Sequence, residues 1–364
     1  MDFRFAFEVG ATLCLQISVV IALTAALQRW IGDARFGCRL WTICFLSIIA
    51  LLAVGVLLPH RRLFGGAVDF QRETVLAIVM WQGRLTIALA AVWGAGVLVF
   101  LGRRLVRCLQ LLRFLKDRCT PVDSPGLLKR LECSSNLPDG LKVLTSPEIQ
   151  GPFCWQLHRP LIVLPTFLLE EDDTTLRHVM LHELEHLRTR HPMQHFLQGI
   201  CSMVFWFHPA IRLAGRNAEL TREFLCDEVA AKTAGKFGPY LRTLAIVAEH
   251  CGRSACTAVP QGTLAFGNQK SALVRRCDRL VALAHNRVPS RQWRSMTAIV
   301  VLLLSVVVVQ QVWLPTNVMA SSRSHWSPWP TWTANVLHQC NIQVRDFELF
   351  EERVQLHELI KAND

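Results

Sequence analysis

Charge is scarce in this chain, and acidic charge scarcer still: Asp, Glu, Lys and Arg make up 18% of 364 residues, with 28 acidic side chains against 39 basic ones. With 51% of residues apolar, that scarcity excludes an intrinsically disordered chain and argues against one wholly surrounded by water. Gly 20 and Pro 16 are too few for a low-complexity or collagen-like chain. No C-x-x-C pair occurs among the 13 cysteines, which removes zinc-ribbon and thioredoxin-type redox readings. Their odd number and irregular spacing predict thiols that are mostly reduced and cytoplasmic. A net charge of +11 points to nucleic acid or to anionic lipid, and its distribution has to decide.

What the chain does have is length without charge. Val9 to Gln28, Leu40 to Leu58, Leu85 to Gly102 and Ser295 to Leu314 each hold 18 to 20 residues with no Asp, Glu, Lys or Arg. About 20 helical residues cross a bilayer core, so four membrane-spanning helices are expected. The apolar stretch Thr74 to Trp81 leaves room for the third helix to start earlier, with Arg84 near the interface. A cleavable signal peptide is the rival reading of the first run, but Asp2 and Glu8 flank it where a basic segment belongs.

Both ends of the 192-residue segment from 103 to 294 are basic, with Arg103, Arg104, Arg107, Arg113, Lys116 and Arg118 at one end and Arg275, Arg276, Arg279, Arg287, Arg291 and Arg294 at the other. The positive-inside rule predicts that this segment is cytoplasmic and that the loop from Pro59 to Arg84 and the tail from 315 to 364 lie outside. Juxtamembrane basic residues follow from that topology alone, so interaction with membrane lipids is expected and direct nucleic-acid binding is not. Within the segment, Lys142 to Thr145, Phe153 to Leu157 and Leu161 to Leu164 are short β-prone runs. Asp173 or Thr174 is the expected cap of a helix reaching about Arg190, and Pro209 opens another reaching about Ala234. Phe196 to Phe207 is too short for a fifth span and reads as a buried or re-entrant helix.

His182-Glu183-Leu184-Glu185-His186 is an H-E-x-x-H element on the first of those helices. Its i, i+4 spacing puts both imidazoles on one face, where they can share one Zn2+, with Glu183 beside the metal as the base for a bound water. Two ordinary histidines on an amphipathic helix are the bland alternative. A tetrahedral catalytic zinc needs a third protein ligand and an open position for water. Thr189 and Pro192 stand where a third-histidine continuation needs Gly and His, and His178 lies along the same helix stripe, so neither route supplies the ligand. His195 and His208 read as surface or core residues. Glu223, with Asp227 one turn later on the same face, offers a ligand and a carboxylate to accept a hydrogen bond from the far nitrogen of a ligand histidine. Glu219 is the rival ligand on that stripe; Cys226 is soft enough to bind zinc but sits off it and reads as a small packing residue.

H-E-x-x-H at 182–186, then Trp206-Phe207-His208-Pro209, then Arg222-Glu223-Phe224-Leu225-Cys226-Asp227 resembles the BlaR/MecR-type membrane zinc metallopeptidases, whose pattern is H-E-x-x-H, W-F-N-P and R-E-x-x-C-D. The likeness extends to Pro152-Phe153, to Arg159 through Pro165 and to the Arg275-Arg276 helix, covering roughly residues 1 to 315. It implies a mainly α integral membrane protein: three spans within 1–102, a cytoplasmic α+β gluzincin-like zinc peptidase domain over 103–294, a fourth span over 295–314 and an extracytoplasmic tail over 315–364. It also implies cleavage of a cytoplasmic protein, with a winged-helix repressor as the expected partner, in signal transduction. The alternatives are a non-enzymatic membrane transducer and a CAAX-processing or quality-control membrane peptidase. His208 replaces the family's Asn, and Gln156 stands where Gly is frequent. Residues 315–364 contain no Ser-x-x-Lys nucleophile motif, so β-lactam binding is not expected.

Overall fold

A computed structural model describes residues 3–61, 72–133, 137–156, 159–235, 237–253, 270–285, 292–313 and 329–344. Helices α1 (Phe3–Ile31) and α2 (Ala34–Leu57) form a hairpin whose turn needs the positive φ of Gly32, after which Asp33 caps α2 by accepting from the Phe36 amide at 3.0 Å. Helix α3 (Arg72–Asp117) is a single element, so the third apolar run and the basic stretch to Lys116 are one continuous helix. Its apolar half ends where the arginines begin, but nothing in those residues breaks a helix. Four helices are long and apolar enough to cross a membrane by length and composition: α1 over Ala6–Ile31, α2, α3 over Met80–Asp117, and the later α11 (Gln292–Gln310) over Trp293–Gln310. Gln16 of α1 donates to the Val309 and Val312 carbonyls at 3.1 and 3.0 Å, tying the last of these helices to the first.

Between α3 and α11 lies an α+β unit. Strands β1 (Thr120–Pro121), β2 (Lys142–Ser146), β3 (Phe153–Trp155) and β4 (Leu161–Pro165) form a sheet in the order β1-β2-β4-β3. β2 and β4 are parallel, with Val143 opposite Ile162, and β3 is an antiparallel edge with Cys154 opposite Ile162. These three side chains share a core with Leu176, Met180 and Leu184 of α6 (Asp173–Arg188). Asp172, not Asp173 or Thr174, caps α6: its carboxylate accepts the Thr174 and Thr175 amides, the N2 and N3 donors that only the preceding residue's side chain reaches. Two short helices, α4 (Ser124–Arg130) and α5 (Thr166–Glu170), cover the sheet.

Helices α7 (His191–Val204) and α8 (Pro209–Thr233) then fold back as a hairpin toward the apolar helices. Trp93 of α3 donates to the Val204 carbonyl at 2.8 Å, and His208 Nε2 lies 3.1 Å from the Cys14 carbonyl of α1. The hairpin tip therefore sits beside the middles of two long apolar helices, and α7, at 14 residues, is too short to cross a bilayer itself. α8 joins two cores. Ile211, Ala214 and Ala218 pack with α1 and α2, whereas Ala230 and Ala231 pack with α6, α9 (Phe237–Arg253) and α10 (Lys270–Ala284). A Cβ on Gly37 of α2 would lie 2.8 Å from the Thr221 methyl, so this glycine sets how closely α2 approaches the middle of α8. The stretch at 287–291, Leu314 and most of the 315–364 tail lie outside the described residues, although a helix not anticipated from sequence, α12 (Thr331–Gln339), occurs within the tail.

Candidate metal centre and active site

α6 presents His182, Glu183 and His186 on consecutive turns, all nearly inaccessible to solvent, and α8 crosses it so that Glu223 faces the two histidines. His182 Nε2 and His186 Nε2 are 3.1 Å apart. Glu223 Oε2 lies 3.5 Å from the first and Oε1 3.4 Å from the second. The three side chains offer ligand atoms within 4.8 Å of one another. Two nitrogens bound at about 2.0–2.1 Å to one tetrahedral zinc stand about 3.4 Å apart, so this donor set fits such an ion.

The outer nitrogen of His182 is held as well. Its Nδ1 lies 3.1 Å from Asp227 Oδ1 and 3.0 Å from the Tyr240 hydroxyl, which itself donates to Asp227 Oδ1 at 2.8 Å. Arg276 of α10 grips both oxygens of Asp227, Nε to Oδ2 and Nη2 to Oδ1 at 2.7 Å each, and its Nη1 reaches Glu223 Oε2 at 3.0 Å. Burial alone would depress His182, but hydrogen bonds to Asp227 and Glu223 outweigh it and raise the ring to about 9. Burial would likewise raise Glu223 and Asp227, yet the Arg276 charge and the His182 hydrogen bond hold both below the usual carboxylate range.

Glu183 has the opposite environment. Burial pushes it up to about 7 against the lowering charges of His182 and Arg276, and the Cys154 thiol of β3 hydrogen-bonds it. Its Oε2 is buried and has no hydrogen-bond partner among the described residues. Such an atom is costly unless a proton donor visits it.

The remaining candidates are turned elsewhere. Glu219 accepts from Gln198 Nε2 at 2.8 Å and is 3.9 Å from His195, outside the cluster. His178 bonds the Thr243 hydroxyl at 2.8 Å, and His208 ties α8 to α1. Cys226 is fully buried with its sulfur 3.5 Å from His191 Nδ1. Three residues at the site escaped the sequence reading. Arg276 was counted as a juxtamembrane cation, but it is buried. Arg279, three residues on, pairs with Glu228 at 2.6 Å, because i, i+3 spacing turns both toward α8. Tyr240 is the only tyrosine in the chain, a signal that residue counting alone could have raised. His191, on α7, bonds His186.

With this geometry in place, comparison with known proteins is decisive: the family described as BlaR1 peptidase M56 matches residues 5–280, more than two thirds of the chain. The chain belongs to the M56 peptidase family. This M56 member is 28% identical over 152 residues to the regulatory protein BlaR1 of Bacillus licheniformis, covering 41% of the chain and 25% of that relative. It is 29% identical over 120 residues to the methicillin resistance mecR1 protein of Staphylococcus aureus strain Mu50, covering 32% of the chain and 20% of the relative. The mecR1 protein of Staphylococcus epidermidis matches to the same extent. The matched stretches thus span a quarter or less of these relatives' own length. Family membership and the four long apolar helices together make this M56 chain a membrane protein of a metallopeptidase family.

Proposed function

We propose that this protein is a zinc endopeptidase of the cytoplasmic membrane that crosses the bilayer four times, faces its site to the cytoplasm and cleaves a protein there, a winged-helix transcriptional repressor being the expected substrate. The observation that carries this reading is the convergence of His182, His186 and Glu223 beside a buried carboxylate, Glu183, with one oxygen unpartnered among the described residues. A zinc ion held by those three side chains would supply a Lewis acid that makes a bound water acidic. Glu183 would act as the base for such a water and would pass its proton to the leaving amine. Asp227 and Tyr240 hold His182 so that Nε2, not Nδ1, faces the ligand position. β3 pairs on one side only among the described residues, and Cys154 within it touches Glu183, so an extended peptide adding to the open edge brings its backbone to the base.

Co-expression with any winged-helix repressor found to be encoded beside this protein tests the reading: cleavage with the wild type and none with Glu183→Gln supports it. Signalling that persists in Glu183→Gln without any cleavage favours a non-enzymatic transducer instead.

The orientation has its own test. Cys340 is exposed, whereas Cys133 is buried and would stay silent on either side. An impermeant thiol reagent on intact cells is expected to label Cys340, and to label a cysteine placed at exposed Asp139 only after the membrane is opened. Labelling of Asp139→Cys in sealed cells would place the peptidase unit outside, beyond reach of a cytoplasmic substrate.

A further inference from the structure

We propose that His191, the first residue of α7, is a positioning residue that fixes His186 in the ring form able to bind metal; this rests on the ligand role proposed above for His186. His191 is completely buried, and its Nδ1 lies 2.9 Å from His186 Nδ1. Two imidazole nitrogens at that distance share one proton, so one donates and the other accepts. If His186 donates, its Nδ1 carries the ring's only proton and its Nε2 lone pair is free to face His182 Nε2 and Glu223. If His191 donates, the His186 proton moves to Nε2 and closes the ligand position. The ligand role therefore requires the first arrangement, with the His191 proton on Nε2.

The two ligand histidines are thus oriented from opposite sides and by different chemistry. Asp227 and Tyr240 hold His182, and a neutral imidazole holds His186. Arg190, in the left-handed region at φ 55°, turns the chain between α6 and α7 so that a residue only five positions after His186 comes back to it. Cys226 packs its sulfur 3.5 Å from the same nitrogen, His191 Nδ1.

His186, His191 and Cys226 also form a compact group of metal-capable atoms. A second metal there would need His186 stripped of both ring protons to bridge two ions and Cys226 as a thiolate. A single metal needs neither.

The test compares His191→Asn with His191→Gln in the full-length protein purified in detergent. The Asn amide oxygen falls near the place of Nδ1, whereas the Gln amide reaches toward Nε2. Zinc affinity measured by chelator competition is expected to stay within a few-fold of wild type in His191→Asn and to weaken about 10–100-fold in His191→Gln. Melting of the metal-free proteins checks that both fold. Equal affinity in the two variants would overturn the proposal, as would two zinc ions per wild-type chain with the second lost in both. Wild-type zinc affinity in His186→Ala would instead remove the ligand role itself, an outcome distinct from failure of the positioning role.

Discussion

Glu183→Gln is expected to keep the metal and the fold while slowing peptide cleavage by about 10²–10⁴-fold, the usual contribution of a positioned proton-transfer group. The amide preserves the shape of a side chain enclosed between α6 and β3 but cannot accept a proton. The same substitution carries a second, independent signature in the metal-free chain. Burial raises the folded-state value of Glu183 from 4.5 to about 7. Below the unfolded value the group is neutral in both states and costs nothing. Between that value and the folded one the unfolded chain gives up the proton and the folded chain keeps it, so stability falls as pH rises, and the loss is complete once the buried group itself ionises. That loss grows to about 3 kcal/mol above neutral pH by linkage. Metal-free Glu183→Gln is therefore expected to melt higher than metal-free wild type at pH 8 and at nearly the same temperature at pH 4.5. Equal melting at both pH values would contradict the burial argument, and cleavage at the wild-type rate would remove Glu183 as the base.

Replacing Asp227 by Leu should be among the most damaging single changes in the α+β unit. It leaves the Arg276 guanidinium buried with the Asp227 oxygens gone and Glu223 still beside it, and it takes a carboxylate oxygen away from His182 Nδ1. Breaking a buried ion pair from one side costs about 3–5 kcal/mol, while replacing both partners with apolar groups is far less costly. The double variant Asp227→Leu/Arg276→Met is therefore expected to melt above the single variant. Stability alone should recover, because His182 still lacks its carboxylate, and zinc affinity should stay weakened about 10–100-fold. A double variant no more stable than Asp227→Leu would show that the pair is not the source of the loss.

The parts of this site that lie on a single helix were legible from spacing. His182 and His186, like Glu223 and Asp227, are i, i+4 pairs, and helical geometry alone puts each pair on one face. What spacing does not carry is the partner from a distant element. Arg276 is 49 positions from Asp227, and in sequence it is one basic residue among six before an apolar run; only the packing of α10 on α8 turns it inward. Tyr240 reaches His182 from α9 in the same way. His191 is hidden for another reason: its contact with His186 depends on the tight turn at Arg190. In the fold, counting uncharged residues located the four long apolar helices but understated α3, because a run of arginines ends a hydrophobic stretch without ending a helix. Since Arg276 and Arg279 face the protein interior, the remaining basic residues at the ends of the segment bear the argument for its cytoplasmic side.

Zinc content of the purified full-length chain tests the central claim most directly. Wild type and Glu219→Ala are each expected to hold about one zinc ion, and Glu223→Ala to lose most of it, as three protein ligands plus water require. Full zinc occupancy in Glu223→Ala, or loss of the ion in Glu219→Ala with Glu223 intact, would contradict the ligand set on which the peptidase reading stands.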